Sequence, residues 1–293
     1  MSFNLKYNSP VVIAEIGCNH KGNLAIARKL IDEAKNCGAD YAKFQKRDNK
    51  YLLGEKYFQP HPNPQNSYGE NYGKHRDFLE FNINEHYQLF KYCKKKKIGY
   101  ATSVWDINSA KQFIKSRINL DYLKVPSACN LDFDLLKYLF TNFKKEIHIS
   151  LGMTTKKEIK KIFDLAKKYK ANKRIIFYAC TSDYPVEFEN ICLLEILYLK
   201  KKYKNKVKDI AFSGHHLGIS PDISAYTLGT SIIERHFTLD RTWKGTDHAA
   251  SLEPTGLAKL VRNLKSVYKS LKFKNHNILD CEILSRKKLK YNS

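Results

Sequence analysis

Residues 11–45 read VVIAEIGCNHKGNLAIARKLIDEAKNCGADYAKFQ, and the order of patterns in this stretch decides the fold. A short β-rich run, Val11 to Gly17, is followed by Asn, Lys and Gly punctuation. The segment Leu24 to Asn36 then places its apolar residues on one side of a 3.6-residue period, and a second β-rich run spans Tyr41 to Gln45. Strand, helix and strand in this order make a βαβ unit. The same alternation recurs outward along the chain, with strands expected at Gly99 to Val104, Tyr122 to Val125, Ile147 to Leu151, Ile175 to Ala179, Asp209 to Ser213 and Ser231 to Phe237. Amphipathic segments at Asn108 to Ser116, Thr155 to Tyr169, Ile191 to Tyr203 and Leu257 to Leu271 are the matching helices. Eight strand-helix units in 293 residues fit a closed (β/α)8 TIM barrel better than an open doubly wound sheet. The chain is thus expected to be α/β, with a single barrel domain over residues 1–271 and a basic C-terminal extension over 272–293.

Two features frame the function classes. Lys and Arg number 52 against 29 Asp and Glu, a net charge of +23, which could serve a polyanion, a membrane surface or anionic substrates. The excess gathers at Lys94 to Lys97, Lys200 to Lys206 and Arg286 to Lys290, each at the polar end of a helical pattern or in the tail. No nucleic-acid motif accompanies it, so no specific nucleic-acid partner is expected. No apolar run approaches the ~20 residues needed to span a bilayer. The seven cysteines, at 18, 37, 93, 129, 180, 192 and 281, lack Cys-x-x-Cys spacing and follow no secretory leader, which suits a reduced cytoplasm. The connection Arg47 to Asn82 is long for a compact domain and is the expected lid.

Reacting groups in a barrel come from the C-terminal ends of strands, and those ends are polar here. The first supplies Glu15, the second Lys43 and Gln45, and later ones Thr102, Lys124 with Ser127, Ser150, Ser182 and Tyr184, Ser213, and Glu234 to His236. A structural strand hides charge, so the lysines in YAKFQ and YLKVP are informative: a lone one could be a salt-bridged core residue, but two beside strand-end hydroxyls suit a phosphate and a carboxylate. His215 and His236 end consecutive strands. Neutral imidazoles placed side by side suit a divalent metal with open positions for substrate and water. Asp247 follows in the loop KGTDHAASLEP, positioned to bind a sugar hydroxyl or orient a metal's water, while Ser251 or Glu253 is expected to cap the last helix.

The stretches IAEIGCNHKGN (13–23), GADYAKFQK (38–46), YGKHRDFLEF (72–81), CTSDYP (180–185), SGHHLG (213–218) and ERHFTLDRTWKGTDHAASLEP (234–254) together resemble the sialic acid synthase family. The last is nearer to the animal-type N-acetylneuraminate 9-phosphate branch than to typical bacterial members. The resemblance implies condensation of phosphoenolpyruvate with an N-acetylmannosamine-type sugar or its 6-phosphate, with release of phosphate. It implies a divalent metal, Mn2+ or Mg2+, on His215 and His236. Lys43, Thr102, Lys124, Ser127, Ser150, Ser182, Tyr184 and Ser213 resemble the phosphoenolpyruvate-binding set. Gln45, Tyr184 and Asp247 fall where the sugar is held, and Glu15 falls near the reacting carbons.

Three departures lie on the sugar side. Cys129 stands two places after Ser127, where the family carries an acid; Val104 stands two places after Thr102, where an aromatic is common; and the family's C-terminal antifreeze-like domain is expected to be absent. A homodimer, if formed, is expected to pair through barrel helices. Competing readings are the same donor with a legionaminic, pseudaminic or 3-deoxy-octulosonate-type acceptor, a Schiff-base aldolase, and a catalytically silent barrel that acts as a binding module.

Overall fold

A computed structural model of the chain describes residues 7–291; the first six residues of the expected domain and the last two of the expected tail lie outside it. Eight parallel strands close in sequence order into a barrel: β1 Val11–Gly17, β2 Tyr41–Lys46, β3 Gly99–Val104, β4 Tyr122–Val125, β5 Glu146–Ser150, β6 Ile175–Ala179, β7 Asp209–Gly214 and β8 Ile232–His236. The expected TIM barrel is what forms, with strand ends within a residue of those read from the pattern. Helix α1 (Leu24–Asn36) follows β1, and α2 (Asn49–Leu53), α3 (Tyr72–Phe78) and α4 (Ile83–Lys96) occupy the long β2–β3 connection. The remaining helices are α5 (Ile107–Lys115), α6 (Phe133–Asn142), α7 (Lys156–Lys168), α8 (Glu195–Tyr203), α9 (Ser220–Thr227), α10 (Pro254–Ser270) and α11 (Asp280–Leu289).

Local chemistry explains these boundaries. Asn23 caps α1 by accepting from the Ala25 and Ile26 amides, while Asn82 with Glu85 and Thr155 with Glu158 form capping boxes on α4 and α7. α1 buries Ala27, Leu30, Ile31 and Ala34 against the sheet, each of the larger side chains contributing roughly 1.5–3 kcal/mol by leaving water. Helices run back against the strands, so their C-terminal ends gather at the N-terminal end of the barrel. Lysines occupy the last turns of α1, α4, α5, α7 and α8, where positive charge complements the helix dipole. These lysines therefore gather at the end of the barrel opposite the C-terminal ends of the strands.

Strand alternation sorts side chains into two layers. The main core, between sheet and helices, holds Phe44, Val104, Leu123, Ile149, Phe177 and Phe212 among many others. The barrel interior is smaller: Ile13, Ala101, Tyr122, Ile176, Tyr178 and Ala211 fill its lower part. His148 stacks on Tyr122 at 3.8 Å between ring centroids and bonds the Tyr178 hydroxyl through Nδ1 at 2.8 Å. Above this floor the inward positions become charged. The helix α11 in the C-terminal tail has no buried residue. Among the described residues no helix is long and apolar enough to cross a membrane.

Candidate active site

Alternation carries Glu15, Lys43, Ser103, Lys124, Ser150, Ser213 and Glu234 inward at the C-terminal end of the barrel, where they line one cavity of about 350 Å³. Its floor is a chain of buried charges. Lys43 Nζ pairs with Glu15 and donates to Ser103 Oγ at 2.9 Å. Lys124 Nζ donates to Glu234 Oε1 at 2.6 Å and stands 4.0 Å from the centre of the Tyr178 ring. Glu234 Oε1 also accepts from Ser213 Oγ at 3.3 Å and lies 3.7 Å from Lys43 Nζ. Burial alone would raise the Glu234 carboxyl, but the Lys124 and Lys43 ammoniums outweigh it and hold the group well below the usual carboxylate range. Two ammoniums and two carboxylates thus interlock with no net charge.

Hydroxyls gather on the wall formed by the ends of β4, β5 and β6. Ser127, Ser150 and Ser182 line the cavity there, and the Gly152 amide donates to Ser127 Oγ at 3.1 Å. Any Cβ at Gly152 would stand 2.3 Å from Ser182 Oγ and 2.8 Å from Ser127 Oγ, so only glycine lets the two hydroxyls approach. Ser182 Oγ is buried without a hydrogen-bond partner, a donor left over for a ligand. Asn130 fixes this wall from behind by donating to Ser150 O at 2.8 Å and Thr154 Oγ1 at 2.6 Å.

The two histidines face each other across the ends of β7 and β8, ring centroids 5.5 Å apart, with Tyr184 at 4.3 Å from His215 and 5.7 Å from His236. His215 Nδ1 bonds the Thr181 carbonyl at 2.6 Å. A carbonyl only accepts, so Nδ1 carries the proton and Nε2 keeps its lone pair. Burial, with His236 nearby, lowers His215 to about 3, leaving the imidazole neutral. His236 Nδ1 is buried without a hydrogen-bond partner and lies 3.8 Å from Asp247 Oδ2. Among the described residues no group of three or more His, Cys, Asp or Glu side chains is arranged to hold a metal. His215 and His236 are the two imidazoles here that could hold a metal.

On the β1–β2 side, Gln45 Nε2 donates to Glu15 Oε1 at 2.6 Å. A Cβ on Gly17, at φ +53°, would meet Gln45 Nε2 at 2.9 Å and Glu15 Oε1 at 3.2 Å, so this glycine leaves room for Glu15 and Gln45 to meet. Burial would raise the Asp247 carboxyl, but His236, the Thr246 hydroxyl and two arginines lower it.

Most residues singled out in the sequence share this cavity: Glu15, Lys43, Gln45, Lys124, Ser127, Ser150, Ser182, Tyr184, Ser213, His215, His236 and Asp247. Thr102 does not. It pairs in register with Phe44 and Leu123, which belong to the helix-facing layer, and it is fully buried. Ser103 takes the inward place, and the aromatic two positions on is then Trp105, which lines the cavity. Val104 itself is buried in the helix-facing core. Cys129, read as a departure on the sugar side, is buried outside the lining, with Ala128 at the wall. Nor do Ser251 and Glu253 cap α10: its N-cap Glu253 makes no side-chain cap bond, accepting instead from the Arg241 amide at 3.0 Å, while Ser251 Oγ bonds Asn19 Nδ2 and the Asp247 carbonyl. The long β2–β3 connection contributes Arg47 and Arg76 to the lining, and Tyr68 ties it to the Lys244 carbonyl.

A model described as the NeuB family matches residues 30–276 of this chain. The chain belongs to the NeuB family. Its NeuB relatives include human N-acetylneuraminate-9-phosphate synthase, 36% identical over 280 residues that cover 95% of this chain and 76% of that protein. Another is the N,N'-diacetyllegionaminic acid synthase of Campylobacter jejuni, 30% identical over 292 residues, covering 96% and 86%. Among solved structures, the N-acetylneuraminic acid (sialic acid) synthetase of Leptospira borgpetersenii superposes with a TM-score of 0.79 at 29% identity, over 99% of this chain and 96% of that one. The resemblance read from the motifs agrees with all three.

Proposed function

We propose that this NeuB-family protein joins carbon 3 of phosphoenolpyruvate to the aldehyde carbon of an open-chain N-acylated hexosamine, free or phosphorylated, giving a sialic acid-type nonulosonate and inorganic phosphate. The observation that carries the reading is the cavity itself: two strand-borne lysines locked to carboxylates, a hydroxyl wall and a histidine pair meet at one barrel mouth. Relatives named as sialic, legionaminic and pseudaminic acid synthases support the reaction class.

The residues divide the work. Ser127, Ser150, Ser182 and the backbone around Gly152 offer hydrogen bonds to a phosphate, while Lys43, Lys124 and Ser213 fix the donor's carboxylate end. His215 and His236 are the groups that would hold Mn2+ or Mg2+, which supplies Lewis acidity toward the acceptor carbonyl oxygen as it gains negative charge. Gln45, Tyr184 and Asp247 orient the sugar. The C–C bond forms as the enol π electrons attack the aldehyde. Carbon 2 then carries cationic character, water adds there, and the C–O bond to phosphate breaks. Glu15, beside Lys43, stabilises that cation and takes the water's proton, and the new alkoxide takes up a proton in turn to become the product's hydroxyl.

The deciding assay is phosphate release from phosphoenolpyruvate with Mn2+ and a panel of N-acylhexosamines. Release that depends on an acceptor supports the reading, and none with any acceptor overturns it. Activity is expected to vanish after EDTA treatment and return on adding Mn2+ or Mg2+; full activity in the chelated protein would remove the metal from the proposal. Burial lowers the pKa of Lys124 despite Glu234 beside it, yet Lys43 and Lys124 are each tied to a carboxylate, so an imine route is disfavoured and borohydride with pyruvate should trap no adduct, as mass spectrometry would show. Strand register gives a sharper test. Thr102→Val is expected to leave turnover within about twofold, whereas Ser103→Ala, which strips a hydrogen bond from the Lys43 ammonium, lowers it about tenfold or more. The reverse order would put the register argument in error.

A further inference from the structure

Every carboxylate and ammonium on the cavity floor is engaged with an opposite charge. Two guanidiniums on its outer wall are not. Arg47, only 5% exposed, follows β2 directly, and Arg76 projects from α3; both line the same cavity. Among the described residues neither has a carboxylate within ion-pair distance. The Arg47 guanidinium lies 3.8 Å from the centre of the Trp105 ring, donates to Gln45 Oε1, and stands 3.6 Å from Cys18 Sγ. Arg76 donates from Nε and Nη2 to the Tyr72 hydroxyl at 3.1 and 2.9 Å. These neutral partners leave N–H donors of both forks unspent.

The local carboxylate makes the arrangement more pointed. Glu80 Oε1 accepts from the Arg47 backbone amide at 3.0 Å and pairs with Lys46 Nζ at 2.9 Å. Glu80 is thus bound by the neighbouring ammonium and the main chain, while the Arg47 side chain lines the cavity. A buried cation without a counter-ion is unfavourable in the empty protein. Its placement over an aromatic face, which holds the planar fork in one orientation, suits a ligand that brings the missing negative charge.

We infer that Arg47 and Arg76 form an anion subsite for a phosphate ester carried by the acceptor sugar. This rests on the condensation proposed above and assigns one of its two acceptor classes. Position decides between the two phosphates. The hydroxyl wall with the Gly152 amide stands at the ends of β4, β5 and β6, and in a ring of eight strands β6 lies across from β2. The arginines come from the β2 end and the connection after it, Arg47 donating to Gln45 Oε1 and both lining the cavity that Asp247 also lines. One phosphate of the donor and one of the acceptor therefore have separate, opposed poles, with the floor of lysines between them.

The test compares N-acetylmannosamine with its 6-phosphate at saturating phosphoenolpyruvate. The native chain should favour the phosphorylated acceptor in kcat/KM by about 100-fold. Arg47→Ala and Arg76→Ala should each reduce that ratio below about tenfold, with Arg47→Lys between them and the native chain. Arg76 is only part-buried, so its variant serves if loss of Arg47 impairs folding. Equal use of the two acceptors by the native chain would overturn the inference. So would variants that raise the KM for phosphoenolpyruvate while the acceptor ratio stays put, since the arginines would then hold the donor. Titration calorimetry with each sugar, without phosphoenolpyruvate, separates this question from turnover. Preference for the 6-phosphate that is lost in the variants upholds the subsite even if no acceptor supports phosphate release, and no such preference overturns it.

Discussion

Asp222→Ala is expected to lower unfolding stability by about 3–5 kcal/mol, although the residue does not line the cavity. Asp222, His216 and Arg235 are each fully buried between the barrel and α9. One Asp222 carboxylate oxygen accepts from Arg235 Nη1 at 2.5 Å and lies 3.2 Å from His216 Nε2. Arg235 also donates to the carbonyls of Gly218 at 2.8 Å and His216 at 2.5 Å. Removing the carboxylate leaves a guanidinium in the core with no negative partner, which is why the cost exceeds that of an ordinary lost hydrogen bond. The triad packs so tightly over Gly214 that a Cβ there would stand 2.7 Å from the His216 ring. His216 and Arg235 are the chain neighbours of His215 and His236, pointing to the opposite face of the sheet. The network accordingly joins the two strands directly behind the imidazole pair. Urea unfolding of Asp222→Ala, with Arg235→Met and the double variant completing a cycle, measures the effect; a loss under about 1 kcal/mol would show the pair to be replaceable.

Lys124→Met is expected to reduce kcat/KM for phosphoenolpyruvate about 10²–10³-fold. The methionine keeps much of the stem that crosses the Tyr178 ring, but Glu234 loses its 2.6 Å partner and is left with Lys43 at 3.7 Å. A carboxylate without that ammonium repels the incoming anion. Glu234→Gln should fall in the same range, because it breaks the floor's charge balance from the other side. Melting temperature and circular dichroism distinguish lost chemistry from lost fold. Turnover of folded Lys124→Met within tenfold of the native chain would exclude this lysine from the donor site.

The fold was legible because period and punctuation agreed at every strand, and strand ends then named the cavity. What escaped the sequence was what alternation alone resolves only with register in hand. Thr102 and Ser103 are both small hydroxylated residues; Tyr100 and Val104, two positions either side of Thr102, carried the signal that it faces the helices. Glu234 was visible as a strand-end charge, yet its partnership with Lys43 and Lys124 joins β8 to β2 and β4, which no local pattern specifies. Arg47 and Arg76 lay in a connection without regular periodicity, among several other basic residues. His148 was hidden for a different reason: a histidine within a strand gives no indication that it stacks inside the barrel.

The lysine-tipped helix ends give the molecule a preferred way to meet an extended negative surface. With these lysines gathered at the closed end of the barrel, a sulfonated bead or a mica sheet is expected to capture the protein by that end and leave the mouth turned to solution. Adsorbed enzyme should keep its access to dissolved substrates, and it should detach as added salt shortens the reach of the field, to about 10 Å at 0.1 M.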